Sequence, residues 1–165
     1  MSNRTFIIFV LLIAIVGGIT GFRLAAVPNL QTYKLLNIVG LLYDLLGVFV
    51  LSELLGSSTK WRSISVHTIA PAVLWLHTIF PLGALIGAGF TGIVAHRPSW
   101  SVVAKFGLAF WAYSIIPLTL LDMTVVFPPF KALQGLESRW RRFGLFLLAS
   151  GVGLQLVAAI LGLQA

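Results

Sequence analysis

The residues that could do chemistry in this sequence are few, and Asp44 stands out among them. The chain has 4 Asp and Glu residues and 3 His in 165 residues, and Asp44 lies in the middle of an apolar run. An acid at the centre of a membrane-spanning helix costs about 2.5–3.5 kcal/mol on insertion scales. It therefore needs a partner or a proton, and such a group can move protons, bind an ion or solute, or hold a neighbouring helix.

Several other polar residues are predicted to lie at a similar depth. A rise of 1.5 Å per residue places them near the middle of their own helices. Asn37, Gly40, Asp44 and Gly47 follow one another at spacings of three and four and so share one helix face. We therefore predict a buried polar cluster with these members: Asp44, His77, Asn37, Tyr113, Ser114 and Gln155.

Three interpretations of this cluster remain open. It can be structural, a set of hydrogen bonds between helices that average about 0.6 kcal/mol each. Alternatively, Asp44 and His77 line a path for protons, ions or a solute, because intramembrane ionisable groups are functional candidates and His changes charge near neutral pH. A third interpretation is contact with a helix of another subunit.

Metal, cofactor and enzyme chemistry are not indicated. The chain has no Cys, which excludes thiolate ligands and a Cys nucleophile. His67 and His77 are ten residues apart on one helix and cannot chelate together, and His96 lies in a loop at the other side, so we predict no haem or metal. No nucleophile, zinc or phosphate-loop motif is present, and an enzyme is the least favoured function.

The composition excludes most soluble classes of protein. Hydrophobic residues make up 59% of the chain and charged residues 9%, against roughly 25% charged in a soluble domain. The net charge of +7 comes from residues between apolar runs, where they set topology and meet anionic headgroups. No basic patch with interleaved aromatics supports a nucleic-acid partner.

The elements that must position these residues are long apolar helices. We predict an all-α polytopic membrane bundle, a single transmembrane domain over 1–165, because about 20 apolar residues cross a bilayer. If the first helix were a cleaved signal peptide, four spans would remain, although its Gly-rich end favours a retained span. Pro71, Pro81 and Pro117 are predicted to kink their helices. The predicted spans are 5–22, 35–55, 66–94, 101–127 and 143–163, with a linker over 131–142.

Small residues at helical spacing indicate where the helices meet, since close contact in lipid relies on them. They fit packing within the bundle, a homo-oligomer or a partner interface. Trp61, Trp100 and Trp140 are expected as anchors at headgroup level. The predicted packing residues are Gly40, Gly47, Gly83, Gly87, Gly92 and Gly153.

The sequence therefore predicts a function class and an orientation. The leading hypothesis is a structural or accessory subunit that packs against partner membrane proteins; the alternatives are a small oligomeric transporter or channel using Asp44 and His77, and a membrane enzyme. Seven of the 11 Lys and Arg residues fall on the side of the N-terminus, which favours that end inside and the C-terminus outside a cytoplasmic or plasma membrane.

Overall fold

Long apolar runs with few charged residues favour helices, and helices are what the described residues form. The structure, a computed structural model, describes residues 3–55, 68–120 and 136–163, and these contain no strand. The helices are α1 (Asn3–Ala25), α2 (Thr32–Leu55), α3 (Ala70–Ala95), α4 (Trp100–Tyr113), α5 (Ile115–Leu120) and α6 (Leu136–Leu163).

Five stretches of the described chain are long and apolar enough to cross a membrane. The fold class predicted from sequence, an all-α bundle of membrane-spanning helices, is confirmed, and the chain has the character of an integral membrane protein. The stretches are Arg4–Ala25, Thr32–Ser52, Ala70–Ala95, Trp100–Leu118 and Ser138–Leu163.

The three prolines act differently from one another. Pro71 is the second residue of α3 and follows a π-helical turn at residues 68–69. Pro81 lies inside α3. Pro117 has no N–H to offer the carbonyl of Tyr113, and the helix is interrupted one residue later, at Ser114, which separates α4 from α5.

The predicted linker over 131–142 is wrong at its end, because α6 already begins at Leu136. Leu, Glu and Arg in this segment are good helix formers. Trp140 and Phe143 are three residues apart, share a face and are both buried, with ring centroids 6.0 Å apart. Trp140 is fully buried, so it is a packing residue and not the predicted headgroup anchor.

Some sequence predictions lie outside the described residues. These are Trp61, His67, the start of the third predicted span, 66–67, and the end of the fourth, 121–127.

The chain divides into two compact units. The first comprises Met1–Leu30 and Leu74–Phe130, and the second Gln31–Val73 and Lys131–Ala165. The first unit contains α1, most of α3, α4 and α5, whereas α2 and α6 form the second.

Within the first unit, α1 and α3 run parallel. Phe6 contacts Trp75 near the start of both helices, with ring centroids 5.3 Å apart, and Ala25 clusters with Ala88 near their ends. Between these points, Gly83 and Gly87 of α3 press against the α1 backbone. A Cβ built at Gly83 would lie 3.1 Å from the amide nitrogen of Gly18.

In the same unit, α3 and α4 run antiparallel. A Cβ at Gly92, late in α3, would lie 3.0 Å from Cε2 of Trp100 at the start of α4. A Cβ at Gly107, late in α4, would lie 2.9 Å from the amide nitrogen of Leu85. Parallel first and third spans and antiparallel third and fourth spans are what a chain crossing a membrane back and forth requires.

Candidate functional site

A glycine seam joins α2 to α6. Gly40 and Gly47 of α2, and Gly144 and Gly151 of α6, are each spaced seven residues apart, or two helical turns. A Cβ at Gly40 would lie 2.9 Å from the carbonyl oxygen of Gly151, and one at Gly47 would lie 3.0 Å from that of Gly144. The two backbones are therefore in direct contact, which glycine alone permits. This pairing is antiparallel, as expected for the second and fifth spans.

Asp44 sits inside this seam, one turn from each α2 glycine. Its Oδ2 accepts a hydrogen bond from Nε2 of Gln155 on α6. A Cβ at Gly151 would lie 2.7 Å from Cγ of Asp44, so the carboxyl group occupies the space that the missing side chain of Gly151 leaves. The structure thus brings together Asp44 and Gln155, two of the residues predicted to cluster.

The partner of Asp44 is an amide and not a cation. Between residues 35 and 52, Asp44 is the one charged residue of α2, and residues 143–163 of α6 contain none. Among the described residues, Oδ1 of Asp44 is buried and has no hydrogen-bond partner. The arrangement is a hydrogen bond between two helices at a point where their backbones touch, and such a bond stabilises helix pairs in lipid.

Asn37 is not buried with Asp44, contrary to the prediction. It is exposed, although it lies two turns before Asp44 on the same helix. Tyr33, one turn earlier, makes the contact with α6 at this end of the seam, and its ring lies 3.5 Å from the position of a Cβ on Gly162.

Gly153 likewise does not contribute to packing in the described structure. It is exposed, and a Cβ there would meet nothing within 4 Å. It lies two positions after Gly151, which amounts to about 200° around an α-helix. Gly153 therefore faces away from the seam that Gly151 forms.

The other three predicted members of the polar cluster belong to the first unit. His77 is buried on α3, and Ser114 is fully buried. The hydroxyl of Ser114 donates to the carbonyl oxygen of Trp111 at 2.6 Å. This bond gives a backbone carbonyl a partner where the helix is interrupted ahead of Pro117. Tyr113 is half-buried.

Ser99 is a structural residue that the sequence analysis missed. It is buried in the turn between α3 and α4, and its Oγ donates to the carbonyl of Val27 at 2.6 Å and accepts from the amide of Leu30 at 3.3 Å. Its own amide donates to the carbonyl of Ala25. A Ser directly before a helix is typical of an N-cap. The side chain of Ser99 instead makes its hydrogen bonds to the loop that follows α1.

Within the described residues, no group of three or more His, Asp or Glu side chains is placed to hold a metal ion. The chain matches no protein-family model, no curated protein and no solved structure. Any proposal about function therefore depends on the α2–α6 seam and on the surface that the helices leave exposed.

Proposed function

We propose that the protein is a structural or accessory subunit of a membrane assembly, which packs in the lipid bilayer against a different membrane protein. The observation that supports this most is the hydrogen bond that Asp44 makes. The most costly polar residue in the described spans is engaged in holding two helices of its own chain together, by a hydrogen bond to Gln155 in a glycine seam.

The tight contact around Asp44 favours a structural role over a transport role. Gly40 and Gly151 bring two helix backbones together beside its carboxyl group, and a close-packed interior deforms little. A permeation path needs room for a solute or water next to the ionisable group, and the seam fills that space with backbone.

A double-mutant cycle tests the structural role. We expect Asp44→Ala and Gln155→Ala each to destabilise the protein, and the double variant to cost less than the sum by about 0.6 kcal/mol, up to about 1.7 kcal/mol. Ser52→Ala is a control, because that hydroxyl donates to Phe49 of its own helix. If the stability losses of Asp44→Ala and Gln155→Ala simply added up in the double variant, the hydrogen bond would not explain why an acid lies at position 44.

A small oligomeric transporter or channel is the second candidate. The observation in its favour is Oδ1 of Asp44, which is buried without a hydrogen-bond partner among the described residues and is the kind of group that binds a proton or cation. In proteoliposomes, Asp44→Asn in a transporter abolishes proton-linked flux while the protein still assembles. Absence of flux in both the wild type and this variant supports the accessory role.

For orientation, we propose the N-terminus inside and the C-terminus outside, in a cytoplasmic or plasma membrane, with α1 retained as a span. Support comes from the excess of Lys and Arg on one side. Since the chain has no Cys, a single introduced Cys is the only thiol. An impermeant maleimide added outside should label Gln31→Cys at once and Ser138→Cys only after permeabilisation. The reverse labelling pattern would show that the orientation is opposite to the one proposed.

A further inference from the structure

The first unit contains a similar short sequence twice, in two helices that pack against each other. Residues 77–82 of α3 have the sequence His-Thr-Ile-Phe-Pro-Leu, and residues 113–118, where α4 ends and α5 begins, have the sequence Tyr-Ser-Ile-Ile-Pro-Leu. In each copy a hydroxyl residue lies three positions before a proline. Proline is unfavourable in the interior of a helix, so two matching copies call for a common reason. We name them the hydroxyl–proline motifs.

The packing of α3 against α4 brings the two motifs to the same level. Gly92 packs against Trp100, and Gly107 packs against Leu85. Leu85 and Gly92 are seven residues apart, as are Trp100 and Gly107, so the two helices keep one antiparallel register over about two turns. One more step of seven residues, along the same face of each helix, reaches the hydroxyl residue of each motif.

Thr78 and Ser114 are the residues that this register places opposite each other. Both are buried, with 8% and 0% of their surface exposed. Oγ1 of Thr78 donates to the carbonyl of Leu74 at 3.0 Å, and Oγ of Ser114 donates to the carbonyl of Trp111 at 2.6 Å. Since a hydroxyl has one proton, each proton is committed to the backbone of its own helix. The lone pairs of the two oxygens are what the hydroxyls offer to the space between the helices.

The two prolines bring backbone carbonyls into the same arrangement. Pro81 has no N–H to give the carbonyl of His77, and Pro117 has none to give the carbonyl of Tyr113. Each of these carbonyls belongs to the residue directly before the hydroxyl of its motif. Tyr113 is also the last residue of α4, where the helix macrodipole is negative. Two hydroxyl oxygens and two carbonyl oxygens therefore lie at one level of the α3–α4 pair.

We propose that the two hydroxyl–proline motifs together bind a dehydrated monovalent cation such as Na⁺ between α3 and α4. In membrane transporters, carbonyls of interrupted helices and the C-terminal ends of half-helices coordinate Na⁺. A divalent cation fits less well, because Ca²⁺ and Mg²⁺ sites use carboxylates, and residues 3–30 and 74–120 of the first unit contain no Asp or Glu. The oxygen ligands are the hydroxyls of Thr78 and Ser114 and the carbonyls of His77 and Tyr113.

The site lies within the first unit and makes no use of Asp44 or of a partner protein. A cation bound there would bridge α3 and α4 at the point where each helix lacks a backbone hydrogen bond. The inference therefore goes beyond the accessory role, and either of the two can fail without the other.

Thermal unfolding of the full-length protein in detergent tests the site, with NaCl, KCl and choline chloride compared at equal ionic strength. A cation that binds only the folded protein, present at 100 times its Kd, should raise Tm by about 5–10 °C. We expect this rise in NaCl or KCl relative to choline chloride, because choline is too large for a site between two packed helices. Equal Tm values in all three salts would overturn the proposal.

Two sets of variants locate the cation. Thr78→Val with Ser114→Ala removes both hydroxyls and should abolish the rise in Tm. Thr91→Val is the matched control and should keep the rise, because Thr91 is also buried on α3 and its hydroxyl donates to the carbonyl of Ala88 in its own helix. If the double variant does not fold, Thr78→Val should lose most of the rise and Thr78→Ser, which retains the oxygen, should keep it.

Two outcomes of the variant series would contradict the site. A rise in Tm that survives the loss of the Thr78 and Ser114 hydroxyls would place the cation elsewhere. A rise that is lost equally in Thr91→Val would mean that any buried hydroxyl of α3 matters, and not the two motifs.

Discussion

The contrast between Gly151 and Gly153 gives the sharpest test of the α2–α6 seam. The two glycines are two residues apart on one helix, so an Ala at either position changes helix propensity by a similar amount, about 1 kcal/mol in favour of the helix. At Gly151 the added Cβ would lie 2.7 Å from both Cγ of Asp44 and the carbonyl oxygen of Gly40. At Gly153 it would meet nothing within 4 Å.

Propensity cancels when the two variants are compared, which leaves the cost of overpacking. Inserting a methyl group into a close-packed site costs about 1–3 kcal/mol. We therefore expect Gly151→Ala to be less stable than Gly153→Ala by that amount, a factor of about 5 to 150 in the unfolding equilibrium. Reversible unfolding in mixed detergent and SDS micelles, followed by circular dichroism, measures the difference. Equal stability of the two variants would refute backbone contact at Gly151.

Two further predictions follow from the loops and the helix interruption. Ser99→Ala removes the hydrogen bonds to Val27 and Leu30 and should destabilise the first unit by about 1–3 kcal/mol, as measured by thermal unfolding. The control is Ser52→Ala, because the exposed hydroxyl of Ser52 bonds its own helix. A loss of stability no larger than that of the control would contradict the role of Ser99. Pro117→Ala restores an N–H facing the carbonyl of Tyr113, so amide exchange at residues 114–118 should slow; unchanged exchange would mean that tertiary packing, and not Pro117, interrupts the helix.

The sequence predicted the spans well because a bilayer imposes a simple rule. Apolar length alone determines which segments cross, and the five spans needed no tertiary information. Element ends were less predictable. The charge of the segment before Phe143 predicts a linker, whereas Trp140 and Phe143 supply an apolar side that buries the start of α6. Charge is a poor guide to a boundary where one helix face is buried.

The candidate site was predicted only in part, since depth does not determine direction. Asp44 and Gln155 do meet, but Asn37 is exposed and Gly153 faces away from the seam. The matching seven-residue spacing of Gly40 with Gly47 and of Gly144 with Gly151 was the signal that could have identified the pairing. The contacts of Ser99 join residues about 70 positions apart, which no local pattern encodes.

Purification of the tagged protein from its native membrane in mild detergent, followed by native mass spectrometry, tests the accessory-subunit proposal most directly. The proposal predicts a complex that contains a different membrane protein in fixed stoichiometry. Recovery of this chain alone, as a monomer or a closed homo-oligomer, would contradict it.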